Sequence, residues 1–185
     1  RGEYFNKCNS RYPIVLTQGI YTRYYDQIIV VDQSPGTMIG SSTASVSFIN
    51  SRFTYSPFPR NTANDLFSYE IILPPCLSMV NGSFNQKNHL GNNLAAPDSI
   101  VTSGNIVRVY YSSYVGGTQS TINFDVQLDC NSCGNLGSAL IELNSYYSPD
   151  LACGCEFKMG CSSSEIELIC PTTCEGINLQ NAIVE

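Results

Sequence analysis

The sequence predicts an all-β protein: an antiparallel β-sandwich, Greek-key/Ig-like or jelly-roll-like, with a disulfide-rich extension at its C-terminal end. Three observations carry this expectation. Apolar residues recur at every second position in several segments, the period of a strand with one buried face. Clusters of Gly, Pro, Asn and Ser separate those segments. Seven of the nine cysteines, from Cys130 to Cys174, crowd into the last third of the chain.

The strands follow in chain order. Ile20 to Val31 and Ala44 to Tyr55 are β-branched and aromatic runs. Phe67, Tyr69, Ile71 and Leu73 alternate with Ser68, Glu70 and Ile72, until Pro74-Pro75 ends the ladder for want of an N–H donor. Gln86 to Asp98 is rich in Asn and Gly and reads as a long surface loop. Val107, Val109 and Tyr111 share a face opposite Arg108 and Tyr110. The cleanest alternation is Ile122, Phe124, Val126 and Leu128 against Asn123, Asp125, Gln127 and Asp129. Ala139 to Tyr147 fits a strand with mixed apolar spacing, and Ile166, Leu168 and Cys170 form a last inward row. Turns are expected at Ser34-Pro35-Gly36, Asn81-Gly82, Ser103-Gly104-Asn105, Gly116-Gly117 and Ser148-Pro149-Asp150. No helical period and no internal repeat stands out. We place the sandwich body at residues 1–130 and a Cys-rich β extension, packed on it, at residues 131–185.

Composition narrows the function classes. Charged residues are 13% of the 185, lysines are limited to Lys7, Lys87 and Lys158, and the formal net charge is −6. Such a chain has no footprint for nucleic acid and no basic patch for an anionic membrane. No apolar run approaches the roughly 20 residues of a spanning helix. Its polar surface must be built from Ser, Asn, Thr, Gln and Tyr, which suits an extracellular wall or fibre component. Arg1 to Ser10 is too polar for a secretory h-region; the expectation is a piece of a longer exported protein.

The cysteines admit two chemistries. Cys130-x-x-Cys133 with Cys153-x-Cys155 approaches a four-cysteine zinc ribbon, but the second pair is one residue short, and Cys161, Cys170 and Cys174 are left over. Disulfides in an oxidising compartment are favoured, with all nine (Cys8, Cys76, Cys130, Cys133, Cys153, Cys155, Cys161, Cys170, Cys174) as candidates. Cys153 and Cys155 point to opposite faces of a strand and need different partners. Cys130 and Cys170 each continue an inward row, so a bond between them suits the geometry, while Cys8–Cys76 would pin the N-terminal segment to a sheet end. The odd total leaves at least one thiol unpaired.

Catalytic signatures are missing from the pattern. His89 is the single histidine, and no motif frames it with Cys76 or Ser78. The carboxylates are scattered, and most occupy outward strand positions. No cofactor is implied, and no metal site is assigned; beside the zinc pattern above, calcium held by loop carboxylates such as Asp98 and Asp150 is the other ion site carried forward. The twelve tyrosines are more suggestive. Tyr24, Tyr25, Tyr110, Tyr114 and Tyr146 are candidates for an outward binding surface, since tyrosine offers a flat apolar body with a polar tip; the high β-propensity of tyrosine and cross-strand pairing are the simpler account of them.

The pieces Cys130-Asn-Ser-Cys133, Tyr146-Tyr147, Cys153-Gly-Cys155, Cys170 and Cys174-Glu-Gly-Ile177 together resemble segments of the very large, modular cell-surface adhesins of gliding bacteria. The resemblance is confined to the C-terminal third, and residues 1–120 resemble no family. It implies export, attachment at the outer surface, and a role in adhesion or gliding motility as one interior module, whose partners are other modules of the chain or assembly. No functional residue is carried over. The expected function is therefore a non-enzymatic extracellular module of an adhesin or filament. The rivals are a carbohydrate-binding module or glycan-active enzyme, which would engage polysaccharide, and a structural zinc protein.

Overall fold

A computed structural model describes residues 9–11, 14–18, 21–55, 66–112, 119–133, 137–148 and 156–170. Thirteen strands are described: β1 (Asn9–Arg11), β2 (Ile14–Gln18), β3 (Tyr21–Gln33), β4 (Thr37–Ile39), β5 (Thr43–Tyr55), β6 (Leu66–Ile72), β7 (Leu77–Met79), β8 (Asn85–Asn88), β9 (Ser99–Ser103), β10 (Ile106–Tyr111), β11 (Gln119–Leu128), β12 (Ser138–Ser148) and β13 (Phe157–Ile169). One 3-10 turn, Cys130–Ser132, is capped by Asp129, whose carboxylate accepts from the Asn131 N–H.

The strands form two sheets. The first runs β1-β13-β12-β6-β10-β9, with β4 joining β13 as a short parallel neighbour. The second runs β2-β3-β5-β11-β7, with β8 pairing β11 beyond β7. All pairings but β4–β13 are antiparallel. The two inner faces share one apolar cluster, including Val46, Phe48, Ile122, Phe124 and Val126 from the second sheet and Ile71, Val107, Val109, Ile141, Leu143 and Ile166 from the first. Phe48 and Phe124, neighbours on β5 and β11, stack with centroids 6.3 Å apart. The alternating rows read from the sequence are the rows that are buried: Phe67 to Leu73, Val107 to Tyr111, and Ile122 to Leu128. The fold is an all-β sandwich with disulfides toward its C-terminal region.

At one end the core turns polar. Asn50, Gln27 and Ser120 are completely buried, and Gln86 nearly so. Asn50 Nδ2 donates to the Tyr69 hydroxyl across the sheets at 2.8 Å, and Gln86 Nε2 donates to Ser120 Oγ at 2.7 Å. Gln27 finds no hydrogen-bond partner for either amide atom among the described residues.

Three segments depart from the sequence expectation. Residues 86–98, expected to be loop throughout, begin with strand β8, and Lys87 bridges to Asn93. The inward positions there are Phe84 and Gln86, and a glutamine pointing inward hides the apolar period. Strand β9 has all five residues exposed, so it carries no alternation. Strand β13 starts at Phe157, well before the expected Glu165 row. Its run from Met159 to Ser164 is buried throughout, but Gly and Ser fill it, so no apolar rhythm marks it.

Candidate binding surface

The sulfurs brace one end of the sandwich. Cys76 follows the Pro74-Pro75 step after β6, while Cys130 opens the 3-10 turn after β11 and Cys133 caps its end. Cys76 bonds Cys133, and Cys130 bonds Cys170 just past β13. The backbone ties the same corner, with Asp129 N–H donating to the Cys76 carbonyl at 2.9 Å. The bridge weighed between Cys8 and Cys76 is thus replaced by Cys76–Cys133, because the turn after β11 brings Cys133 to within a Cα–Cα distance of 4.7 Å. Cys161 is also in a disulfide. Cys8, Cys153, Cys155 and Cys174 lie outside the described residues. The zinc ribbon loses its first ligand pair, since Cys130 and Cys133 are bonded to other sulfurs. Cys76, consumed in the same way, has no free thiol to act as a nucleophile.

Of the five surface tyrosines, two are placed by described side chains. Tyr110 on β10 and Tyr146 on β12 both stand opposite Ser68 of β6, on the outer face of the first sheet. Their sequence neighbours Tyr111 and Tyr147 point inward and are buried. The side chains of Tyr24 and Tyr25, and the whole of Tyr114, lie outside the described residues.

The next row on that face is charged. Arg108 of β10 stands opposite Glu70 of β6, which stands opposite Asn144 of β12. Arg108 Nη2 and Nε donate to Glu70 Oε2 at 2.7 and 3.0 Å, and Nη1 donates to both oxygens of Glu156. Asn144 Nδ2 and the Tyr146 hydroxyl donate to the other Glu70 oxygen, each at 3.1 Å. The guanidinium also lies 5.2 Å from the centre of the Tyr146 ring. Partial burial raises the Glu70 carboxyl, but the donors from Arg108, Asn144 and Tyr146 outweigh it and hold its pKa below the ordinary value. Burial, then the adjoining Glu70 charge, pushes the Tyr146 phenol up to about 12. Arg108 holds both carboxylates of the cluster, leaving it one negative charge in excess, so it is a clasp across three strands and one loop. Sequence reading selected Tyr146 but missed Arg108, Glu70 and Glu156; the outward alternation of Arg108 and Glu70 on neighbouring strands was the available signal.

Glu70 and Glu156, the two carboxylates of this cluster, are both bound to Arg108. Asp98, half of the calcium suggestion, accepts the backbone N–H of Ser112; Asp150 is outside the described residues. No group of three or more His, Cys, Asp or Glu side chains able to hold a metal occurs among the described residues.

What the geometry defines, then, is a two-sheet β-sandwich with a cross-braced end and an outer face on which Arg108 is engaged by two carboxylates. No protein-family model and no curated protein matches the chain. Among solved structures it is similar to the major pilin subunit BcpA of Bacillus cereus, with a TM-score of 0.52 and 10% identity. That match covers 88% of this chain and 48% of BcpA, so the chain spans about half the pilin's length. The D312A form of BcpA gives a TM-score of 0.50 at 9% identity over the same shares. The N-terminal domain of the Streptococcus gordonii adhesin Sgo0707 reaches 0.44 at 15% identity, covering 76% of this chain and 32% of the adhesin chain. At these identities the likeness concerns the fold alone.

Proposed function

We propose that this chain is a non-enzymatic, extracellular module of a cell-surface adhesin or surface filament, joined to further modules of the same chain or assembly. The observation that carries the reading is the disulfide cross-brace, Cys76–Cys133 and Cys130–Cys170. Such bonds persist in oxidising surroundings, outside the reducing cytosol. The likeness to a pilin fold supports the reading, as does a surface built with little lysine. On the first sheet's outer face Arg108 is already engaged by Glu70 and Glu156. Adhesion in the service of gliding is the finer form of the proposal and rests on the C-terminal resemblance. We further take residues 1–130 and 131–185 as one folding unit, since β12 pairs with β6 and β13 with β1.

The test has two arms. Mass spectrometry of unreduced, alkylated protein from its native host should show Cys76, Cys130, Cys133 and Cys170 unlabelled. Protease treatment of intact cells should release peptides of this chain. Free thiols at those four positions, or protection of the chain until cells are lysed, would overturn the proposal.

A further inference from the structure

The second sheet keeps one feature that the fold does not use. On its outer face a concavity of about 300 Å³ is lined by Lys87, Asn88, His89, Gln119, Thr121 and Asn123, with Gly91 at its rim. Its floor is the outward row of β11, with Thr121 standing opposite Lys87 of β8. Its wall is the loop after β8, which is held in place by its own bonds. Asn88 Oδ1 accepts the N–H groups of both Leu90 and Asn92 at 3.0 Å, and the Asn88 carbonyl accepts the Gly91 N–H. Gly91 has φ of +81°, a left-handed conformation that glycine adopts without strain. The wall therefore exists before any ligand arrives, which lowers the ordering cost of binding.

The charge in this concavity is free. Among the described basic residues, Arg108 is held by Glu70 and Glu156, and Lys158 has interactions of its own. Lys87 is exposed and has no carboxylate partner among the described residues. Around it stand amides and a hydroxyl, groups that both donate and accept. A sugar presents the same mixture of donors and acceptors. A lone ammonium in a chain of net charge −6 selects one carboxylate and disfavours a dense polyanion.

We propose that this concavity is a glycan-binding subsite that seats a single uronic acid residue of an otherwise hydroxyl-rich polysaccharide. The Lys87 ammonium meets the carboxylate, Gln119 and Thr121 meet the ring hydroxyls, and Asn123 accepts from one through Oδ1, its Nδ2 being held by Asn85 and the Thr121 carbonyl. The inference rests on the extracellular reading above, but its test is separate from it.

The test is titration calorimetry of the full chain with hyaluronan hexasaccharide, which alternates acidic and neutral sugars, against neutral chitohexaose and poly-glutamate. The uronate sugar should bind at least tenfold more tightly than either comparator, and more weakly as salt rises. Lys87→Glu should weaken it tenfold or more, Lys87→Arg should stay within threefold, and Gln119→Ala should weaken it without abolishing it. Thermal melts of all three variants should match the parent, because the residues are exposed. Three results would overturn the subsite: no hexasaccharide binding, equal binding by Lys87→Glu, or equal binding of poly-glutamate. Any of these would leave the surface localisation and disulfide tests untouched.

Discussion

Breaking the cross-brace one bond at a time gives the sharpest measure of how this sandwich is held. The Cys76–Cys133 bond closes 57 residues of sequence separation and Cys130–Cys170 closes 40. The chain-entropy relation gives about 4 kcal/mol for either loop, and native disulfides typically measure about 2–4 kcal/mol. The two differ in surroundings more than in loop length. Cys76 and Cys133 are each 2% exposed within the core cluster, whereas Cys130 and Cys170 only pack against it. The double variant Cys76→Ala/Cys133→Ala therefore loses packing as well as the crosslink and should cost more than Cys130→Ala/Cys170→Ala. Denaturant unfolding is the assay, with the shift in midpoint read at constant slope. For a domain with about 5–15 kcal/mol in total, either loss is a large fraction. In reducing buffer the Cys130→Ala/Cys170→Ala variant should become indistinguishable from the parent. An oxidised parent no more stable than that variant would refute the crosslink argument.

Three further outcomes follow from polar groups. Arg108→Ala strands Glu70, whose side chain is 12% exposed, and should lower stability by about 1–3 kcal/mol in urea unfolding. Gln27→Met should raise it by about 1–2 kcal/mol, because the fully buried amide has both atoms unpartnered and a thioether of the same shape needs no partner. The Glu70 pKa lies below its ordinary 4.5 in the folded state. Its contribution is thus fully present above pH 4.5 and is lost as pH falls through the depressed folded value. Acid titration followed by circular dichroism should show Glu70→Gln losing less stability than the parent below that pH.

The fold was legible wherever one face of a strand was apolar and the other polar. Ile122 to Leu128 is such a strand, and β6 and β10 of the other sheet are two more. Legibility failed where inner positions are polar or both faces are alike. Gln86 and Asn50 sit in the core and read as surface; Ser162, Ser163 and Ser164 are buried in β13; and β9 is exposed on both faces. Pairing was harder than strand identity. Cys130 and Cys170 could be matched through their inward rows, but Cys133 reaches Cys76 only because a 3-10 turn reverses the chain after Asp129, and no spacing rule encodes that turn. The concavity at Lys87 was invisible for the same reason, since its wall and floor are distant in sequence and join only through the β8–β11 pairing.

The two outer faces divide their work by where charge is spent. On the first sheet Arg108, the strongest donor there, is used up by Glu70 and Glu156, and its ring partner Tyr146 is pinned by the same carboxylate. A ligand approaching that face would have to displace charge-assisted bonds that already tie three strands together, and each such bond is among the stronger contacts a surface makes. On the second sheet the matching bonds are modest and neutral or singly charged, such as Ser45 to Asp125 and Asn123 to Asn85, and Lys87 is left over. Recognition costs least where nothing must be undone. That asymmetry, more than any single residue, directs a hydroxyl-rich, singly acidic ligand to the β8–β11 side, while the corner braced at Cys76 and Cys130 lies past the other end of β11.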